Sequence, residues 1–384
     1  MPNCAFLLSL VLLIQSNHGL KSDEQLKKSI LKFGYPVELH QVITDDGYVL
    51  TMSRIPAPGK TPLLIAHGLF GCSVDATVQG PNKSLALMAA DGGFDVWMTN
   101  NRGTTYSKKH QSLNVQSKEF WRFSFHELGL YDLPAMVDHV LEQTRRKQLN
   151  FIGHSQGSTQ FLVLNSLLPQ YNAKFSSAHL SSPVAFIHRA TTPAVFLAPR
   201  LAELEAAIRT LRLYELAGRG NGSYMDAIAF GVKIGLLPVG LVLINTWYFI
   251  GYHDSVNHSL VPELMQYSPA GGSAFSFLHY IQLYNAKTFQ QYDYKSKENL
   301  RRYGSKIPPP YPLHKITAPV SLYYSEYDSF NQPADVEELA SRLPNLKLKY
   351  RIPVRGWNHL DFLYASEAHH VYKDILSRLS RDFL

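Results

Sequence analysis

Three side chains that lie far apart in the sequence have the types that serine nucleophilic catalysis requires: Ser155, Asp328 and His359. A serine hydroxyl is a weak nucleophile until a base removes its proton, and histidine commonly serves as that base. An acidic residue must in turn hold the histidine in the tautomer that accepts this proton. The sequence therefore predicts a Ser–His–Asp triad that attacks a carbonyl carbon, provided that the fold brings the three side chains together.

Ser155 lies at the centre of the pentapeptide GHSQG, which has the form Gly-x-Ser-x-Gly. A predicted strand at 148–152 precedes it, and a predicted helix begins at Ser158. In this strand–turn–helix context, called a nucleophile elbow, a strained turn exposes the serine hydroxyl above the sheet, and the glycines let strand and helix approach closely. A plain glycine-rich turn is the alternative interpretation.

The other two residues follow Ser155 in the order acid, then histidine, which is the order found in the α/β-hydrolase fold. Asp328 comes just after a predicted strand at 319–324, and His359 follows the last predicted strand at 346–352. Both therefore belong to loops at the carboxyl ends of strands, where sites in α/β proteins form. Glu326 is the competing acid, although it lies closer to the strand end. Weaker candidates are Asp335 at a helix start, Asp361 beside His359, His369 and His370 in the last helix, and His126 and His139 before the elbow.

The negative oxygen of a tetrahedral intermediate needs two backbone N–H groups directed at it. Next to a nucleophile elbow, one comes from the residue after the nucleophile, here Gln156, and the other from the loop after the first buried strand. That loop is HGLFG at 67–71, in which Leu69 is the candidate donor and His67 is expected to hold the loop in place. A plain glycine-rich turn is again the alternative.

The elements around these residues alternate between strand and helix. After a helix that begins at Ser22 and a hairpin around Asp45-Asp46-Gly47, the pattern predicts strands at 63–66, 95–99, 148–152, 178–186, 319–324 and 346–352, and helices at 84–90, 127–143, 158–168, 335–343 and 366–381. Such alternation is typical of a mostly parallel sheet with helices on both faces. The predicted fold class is therefore α/β, in the form of an α/β-hydrolase fold.

The alternation stops between 187 and 312, where the sequence is helical, aromatic and irregular, with no clear strand. The spacing agrees, because 173 residues separate Ser155 from Asp328, whereas two strand–helix units need roughly 60 to 80 residues. We expect segment 187–312 to be an inserted, mainly helical cap or lid between the core segments 21–186 and 313–384. Its many apolar and aromatic residues favour a long acyl chain as the substrate of the site.

Two stretches are apolar enough to raise the question of a membrane. Residues 5–14 form a short apolar run near the amino terminus, which is typical of a secretory signal peptide at 1–20; a buried first helix is the alternative. Residues 234–252 carry no charge and have the length of a membrane span. Pro238 and three glycines in that stretch favour lid helices over a transmembrane segment.

Composition limits the remaining possibilities. The 384 residues are 45% hydrophobic and 17% charged, which permits a sizeable core, and the net charge of +7 is scattered, without a nucleic-acid motif. Cys4 lies in the predicted signal peptide, so Cys72 would be alone in the mature chain, without an intrachain disulfide partner. Asn82, Asn221 and Asn257 each begin an Asn-x-Ser sequon and are candidate glycosylation sites.

Several long segments resemble the acid lipase family that includes gastric lipase and lysosomal acid lipase, and particularly its insect members. These segments are ITDDGYVLTMSRIP, HGLFG, GGFDVWMTNNRGTTYS, FHELGLYDLPAMVDHVL, GHSQGS, SPAGGS, PPPYPLHKITAPV and WNHLDF. The resemblance implies hydrolysis of triacylglycerols or sterol esters at a lipid–water interface, without a cofactor or metal, by a secreted or lysosomal enzyme. It also implies the nucleophile at Ser155, the acid at Asp328, the base at His359 and the oxyanion donors at Leu69 and Gln156. Unlike vertebrate members, this chain has no cysteine in the predicted cap.

Two other functions are compatible with the pattern. The first is a non-catalytic lipid carrier on the same scaffold, because a fold alone does not establish an activity. The second is a carboxylesterase for small esters. An intact elbow and triad argue against the carrier, and relative rates on short-chain and long-chain esters would identify the carboxylesterase.

Overall fold

The computed structural model describes residues 22–219, 224–238 and 256–381. The predicted signal peptide at 1–20, the sequon residue Asn221 and positions 239–252 of the uncharged stretch lie outside the described residues. Within the three described ranges, no helix combines the length and the apolar character that a membrane crossing needs.

Most of the strands join a single sheet. The strands of the described residues are β1 (Glu38–Ile43), β2 (Tyr48–Ile55), β3 (Pro62–Ala66), β4 (Asp95–Met98), β5 (Lys109–His110), β6 (Leu149–His154), β7 (Phe175–Ser181), β8 (Glu215–Leu216), β9 (Gly272–Ser273), β10 (Val320–Tyr324) and β11 (Leu346–Arg351). The large sheet has nine strands in the order β1-β2-β4-β3-β6-β7-β10-β11, with β5 paired to β2. From β4 to β11 in this order all neighbours are parallel, which confirms the predicted mostly parallel sheet.

Helices surround this sheet. Those of the described residues are α1 (Ser22–Leu31), α2 (Leu85–Asp91), α3 (Phe125–Glu127), α4 (Leu133–Thr144), α5 (Gln156–Leu167), α6 (Leu201–Thr210), α7 (Tyr224–Lys233), α8 (Val261–Leu264), α9 (Ala274–Ala286), α10 (Ser296–Tyr303), α11 (Pro333–Arg342), α12 (Asp361–Tyr364) and α13 (Ala368–Arg381). Side chains alternate along β3 between two hydrophobic clusters. Leu64 packs with residues of α4 and α5, whereas Leu63 and Ile65 pack with residues of α2 and α13. Both faces of the sheet are therefore covered, which explains why its central strands are continuous apolar runs.

The helix predicted at 127–143 is divided by a π-helical turn. Leu128–Asp132 forms this turn between α3 and α4. At Gly129 a Cβ atom would lie 2.5 Å from the Val163 side chain, so only glycine permits the observed contact with α5. The Asp132 carboxylate accepts hydrogen bonds from the Arg102 guanidinium (2.6 Å) and from its backbone N–H (2.9 Å). The irregular turn thus combines a close helix contact with a buried ion pair, and neither can be inferred from helical periodicity.

The described residues of the segment 187–312 form helices and two short strands. β8 and β9 pair antiparallel, although the sequence shows no clear strand in this segment. The segment also contacts two loops of the core. The Ala270 N–H donates to the Phe70 carbonyl in the loop after β3 (2.7 Å), and the Ala270 carbonyl accepts from the Thr105 N–H in the loop after β4 (2.7 Å). The exact limits of a cap domain stay a prediction.

Candidate active site

Ser155 lies in the tight turn between β6 and α5, with φ 52° and ψ −115°. A non-glycine residue in this region is strained, and such strain is common at functional turns. The turn is held by the Ser155 N–H, which donates to the Ser181 carbonyl (3.0 Å). As a result, the Ser155 hydroxyl projects at the carboxyl edge of the sheet, as the pentapeptide predicts for an elbow.

The glycines that flank the turn are required by backbone contacts. A Cβ atom at Gly157 would lie 2.3 Å from the Ala66 carbonyl oxygen, and one at Gly153 would lie 2.8 Å from the carbonyl carbon of Gly157. Real Cβ atoms essentially never approach that closely. The two glycines therefore let α5 start directly against β3 and fix the position of Ser155.

We expect Gly157→Ala to destabilise the protein by about 3 kcal/mol, because the new methyl group can be accommodated only by moving backbone. The free energy of unfolding measured by urea denaturation checks this. Gly92→Ala is the matched control, since Gly92 has φ −73° and its Cβ would meet nothing closer than 3.3 Å. If both variants lose the same stability, close backbone contact is not the reason for glycine at 157.

The structure brings the three predicted residues into one hydrogen-bonded chain. The Ser155 Oγ lies 2.8 Å from the His359 Nε2, and the His359 Nδ1 lies 3.0 and 2.9 Å from the two Asp328 carboxylate oxygens. All three side chains are buried, with Ser155 8% and His359 6% exposed and Asp328 fully enclosed. With the Nδ1 proton directed at Asp328, the Nε2 lone pair is free to accept the Ser155 proton.

The environment of Asp328 favours its ionised form. Burial raises the pKa of this carboxyl, but the charge of His359 and hydrogen bonds from His359, the Ser182 hydroxyl and the Phe330 N–H outweigh it and hold the pKa below its usual value. Glu326, the competing acid, is instead exposed and pairs with Arg351. The structure thus brings Asp328, and not Glu326, to the histidine.

A second histidine borders the triad. The His154 ring lies 5.2 Å from the His359 ring. Burial first, and then the charge of His359, holds the pKa of His154 well below its usual value. His154 therefore stays neutral and adds no positive charge beside the base.

The two candidate oxyanion donors lie in the predicted positions. Gln156 begins α5 directly after the nucleophile, and Leu69 lies in the turn after β3. A Cβ at Gly68 would be 3.2 Å from the Ser155 Cβ, so this loop contacts the nucleophile. Within the described ranges, neither the Leu69 nor the Gln156 N–H has a hydrogen-bond acceptor, as donors reserved for a negative oxygen would require.

His67 holds the loop, and its tautomer can be assigned from its partners. Nε2 accepts from the Asn101 N–H (3.1 Å), so Nδ1 carries the proton and donates it to the Gly68 carbonyl (2.7 Å). Burial lowers the pKa of His67 to about 4. A second proton on the His67 ring would sit on Nε2 and point at the Asn101 N–H. Protonated His67 is therefore incompatible with this geometry of the loop.

We expect His67 to make the stability of the protein decline in acid. Its folded-state pKa of about 4 lies below the unfolded value of about 6.5, so the unfolded state binds more protons as the pH falls from 6.5 to 4. The resulting loss is about 2.5 kcal/mol between pH 7 and 4.5. Urea denaturation at both pH values should show His67→Gln losing less than the wild type over this interval. An equal loss in both proteins would contradict the assignment.

Among the described residues, the other predicted positions Asn82, Asn257 and Cys72 make no hydrogen bond to the triad. Asn82 is exposed and Asn257 is partly exposed, and the Asn257 side chain caps the short helix His258–Leu260. Glycosylation of these residues stays a prediction. Cys72 is buried and free.

Sequence reasoning did not identify Ser182, whose hydroxyl contacts both Asp328 and His359. The sequence predicts a strand at 178–186 that includes Ser182, whereas β7 ends one residue earlier, at Ser181. A shorter strand would have placed a serine at the carboxyl edge of the sheet, next to the elbow. The missing information was where the strand ends, which sequence patterns locate poorly.

Comparison with known families agrees with the fold. A family model described as alpha/beta hydrolase fold matches residues 61–217, and one described as a partial alpha/beta-hydrolase lipase region matches residues 26–78. Among solved structures, a monoacylglycerol lipase from Paleococcus ferrophilus has a TM-score of 0.52 at 15% identity, covering 87% of this chain and 99% of its own. A thermophilic esterase from Thermogutta terrifontis has a TM-score of 0.51 at 14% identity, covering 90% and 99%. At such low identity these likenesses support the fold alone.

Relatives with higher identity cover almost the whole chain. Lipase 3 of Drosophila melanogaster is 39% identical, over 90% of this chain and 90% of its own. Gastric triacylglycerol lipases of Rattus norvegicus and Homo sapiens are 31% and 30% identical, over 94% and 97% of this chain and 93% and 98% of their own.

Proposed function

The chain belongs to the lipase family of the α/β-hydrolase fold, and from this membership we infer that Ser155, Asp328 and His359 are the catalytic triad of a lipid-ester hydrolase. The resemblance to gastric and lysosomal acid lipases is thereby confirmed, and the chain is a serine hydrolase of carboxylic esters. The observation that carries the assignment of residues is the unbroken series of hydrogen bonds from Ser155 through His359 to Asp328.

The reaction proceeds in two halves. In the first, the Ser155 oxygen attacks the ester carbonyl carbon while the His359 Nε2 takes the hydroxyl proton. The carbonyl oxygen becomes negative and accepts hydrogen bonds from the Leu69 and Gln156 N–H groups. Collapse of the intermediate expels the alcohol, which receives the proton from His359, and leaves an acyl group on Ser155.

In the second half, water replaces the alcohol. His359 takes a proton from the water, whose oxygen attacks the acyl carbon, and the second tetrahedral intermediate uses the same two N–H donors. Its collapse returns the proton to Ser155 and releases the fatty acid. Ionised Asp328 stabilises the imidazolium in both halves, so its low pKa serves each step.

We propose long-chain lipid esters, triacylglycerols or sterol esters, as the substrates. The name of the gastric relatives supports triacylglycerols. Large apolar side chains are also exposed among the described residues of the segment 187–312, which would favour contact with a lipid surface. They are Phe196, Leu197, Leu211, Leu213, Phe230, Ile234, Leu236, Leu300 and Ile307. We further propose a secreted or lysosomal location, which rests on the predicted signal peptide at 1–20.

A hydrolysis panel tests the substrate class. Initial rates on emulsified triolein, emulsified cholesteryl oleate and a soluble short-chain ester are measured from pH 4 to pH 8, with active enzyme counted by fluorophosphonate labelling. A higher kcat/KM on either long-chain ester supports the proposal. A preference for the short-chain ester would instead identify a carboxylesterase, and labelling without turnover of any ester would remove the lipase assignment.

A further inference from the structure

Ser182 is a buried polar residue that the two-step reaction above does not use. It follows β7 directly, has φ 48° and is fully buried. Its N–H donates to the Tyr323 carbonyl (2.8 Å), which fixes the backbone beside β10. Its hydroxyl is therefore held at the same edge of the sheet as the triad.

The Ser182 hydroxyl contacts both members of the acid–base pair. Its Oγ hydrogen-bonds the Asp328 Oδ2 and lies 2.7 Å from the His359 Nδ1. The hydroxyl has one proton, and an ionised carboxylate only accepts. Because Nδ1 carries its own proton when Nε2 faces Ser155, the Ser182 proton must go to Asp328. The Nδ1–H of His359 is then shared between the Asp328 carboxylate and a lone pair of the Ser182 oxygen. The serine hydroxyl, the carboxylate and the imidazole thus form a closed ring of hydrogen bonds.

This ring completes the hydrogen bonding of Asp328. The Asp328 Oδ1 accepts from the N–H groups of Phe330 (2.9 Å) and Asn331 (3.2 Å), while Oδ2 accepts from Ser182. Among the described residues, Ser182 is thus the one whose side-chain hydroxyl donates a hydrogen bond to this carboxylate. Its loss would leave Oδ2 with the histidine proton alone, in a site closed to solvent.

We propose that Ser182 is a positioning residue of the hydrolysis reaction, which holds the Asp328 carboxylate ionised and aligned against the Nδ1 proton of His359. This inference rests on the triad assigned under the proposed function. Ser182 does not touch the substrate; it acts through Asp328.

The proposal predicts a change in pH dependence as well as in rate. Without the Ser182 proton the Asp328 carboxylate attracts the protonated form of its histidine partner more strongly. The acid limb of the kcat/KM profile, which reports protonation of the essential base, therefore moves to higher pH. The groups that face His359 are Ser155, Asp328, Ser182, the Phe330 ring at 4.9 Å and His154. Because burial holds the pKa of His154 well below its usual value, His154 stays neutral and does not produce this shift.

Two variants remove the hydroxyl in different ways. Ser182→Ala keeps the Cβ and the backbone strain of the wild type, whereas Ser182→Gly removes the Cβ and relieves the positive φ. An effect on catalysis that both variants share therefore comes from the missing hydroxyl. We expect each to lower kcat/KM on a soluble ester by about 10-fold near neutral pH, since a hydrogen bond to a buried charge is lost. We expect the acid limb to move up by about half a pH unit. Rates are divided by the number of sites that react with a fluorophosphonate, which removes the contribution of unfolded protein.

Ser166→Ala is the matched control. Ser166 is equally buried, and its hydroxyl donates to the Val163 carbonyl (3.1 Å) within α5, away from the triad. If the two Ser182 variants match Ser166→Ala in rate and in pH profile while the wild type is active, the positioning role is wrong and the triad stands. If the wild type neither reacts with the fluorophosphonate nor hydrolyses any ester, the proposed function itself fails.

Discussion

Replacing Ser155 by alanine is expected to lower ester hydrolysis by about 10⁴- to 10⁶-fold, because no other group can form the acyl intermediate. The hydroxyl oxygen is 2.8 Å from the His359 Nε2, and no other described hydroxyl lies that close to this nitrogen. The remaining activity would come from binding and from the oxyanion donors alone. Initial rates on triolein and on a soluble ester, together with fluorophosphonate labelling, measure the effect.

Folding must be unchanged for this result to identify the nucleophile. Alanine has the same Cβ as serine, so it occupies the φ of 52° with equal strain. The variant should therefore unfold at the urea midpoint of the wild type, and Ser166→Ala again controls for the loss of a buried hydroxyl. Retained labelling or turnover in Ser155→Ala would show that another residue is the nucleophile.

Asp328→Asn is expected to reduce kcat by about 10⁴-fold. The amide keeps the size of the side chain but carries no charge, and its NH₂ group favours the tautomer of His359 in which Nδ1 is the acceptor. Nε2 then carries a proton and cannot receive one from Ser155. Steady-state kinetics at neutral pH, with active sites counted by a fluorophosphonate where it still reacts, give the size of the loss.

Glu326→Gln is the matched control for this experiment. Glu326 lies two residues earlier in the same loop, and its substitution likewise converts a carboxylate into an amide. Unlike Asp328, however, Glu326 is exposed and pairs with Arg351. It should retain full activity. If Glu326→Gln were the inactive variant and Asp328→Asn the active one, the acid would be misassigned.

Much of the candidate site could be predicted because its residues follow strongly patterned elements. The buried strand before Ser155, the small glycines around it and the order serine, acid, histidine are all local signals. The choice of Asp328 over Glu326 could also be predicted from the sequence, because Asp328 lies two residues further from the end of the strand. Two further loop residues are enough to turn a side chain toward the end of the neighbouring strand. These signals need no knowledge of tertiary contacts.

Other features depend on contacts that local patterns do not encode. The π-helical turn at Leu128–Asp132 exists because Gly129 approaches Val163 and Asp132 binds Arg102, a residue of another loop. β8 and β9 are two residues each, too short for an alternating pattern to be visible. Ser182 was missed because the end of β7 is set by its partners, β6 and β10, and not by its own composition.

The sheet order has a consequence for when the enzyme can first act. Ser155, Ser182, Asp328 and His359 follow β6, β7, β10 and β11, which are consecutive neighbours in the sheet. β10 and β11 come from the last sixty-five or so residues of the chain, and β11 is the edge strand. A ribosome-bound chain that lacks them already contains Ser155 but neither Asp328 nor His359. Its serine has no base, however, so hydrolytic competence is acquired only after β10, β11 and the loops that follow them have been synthesised.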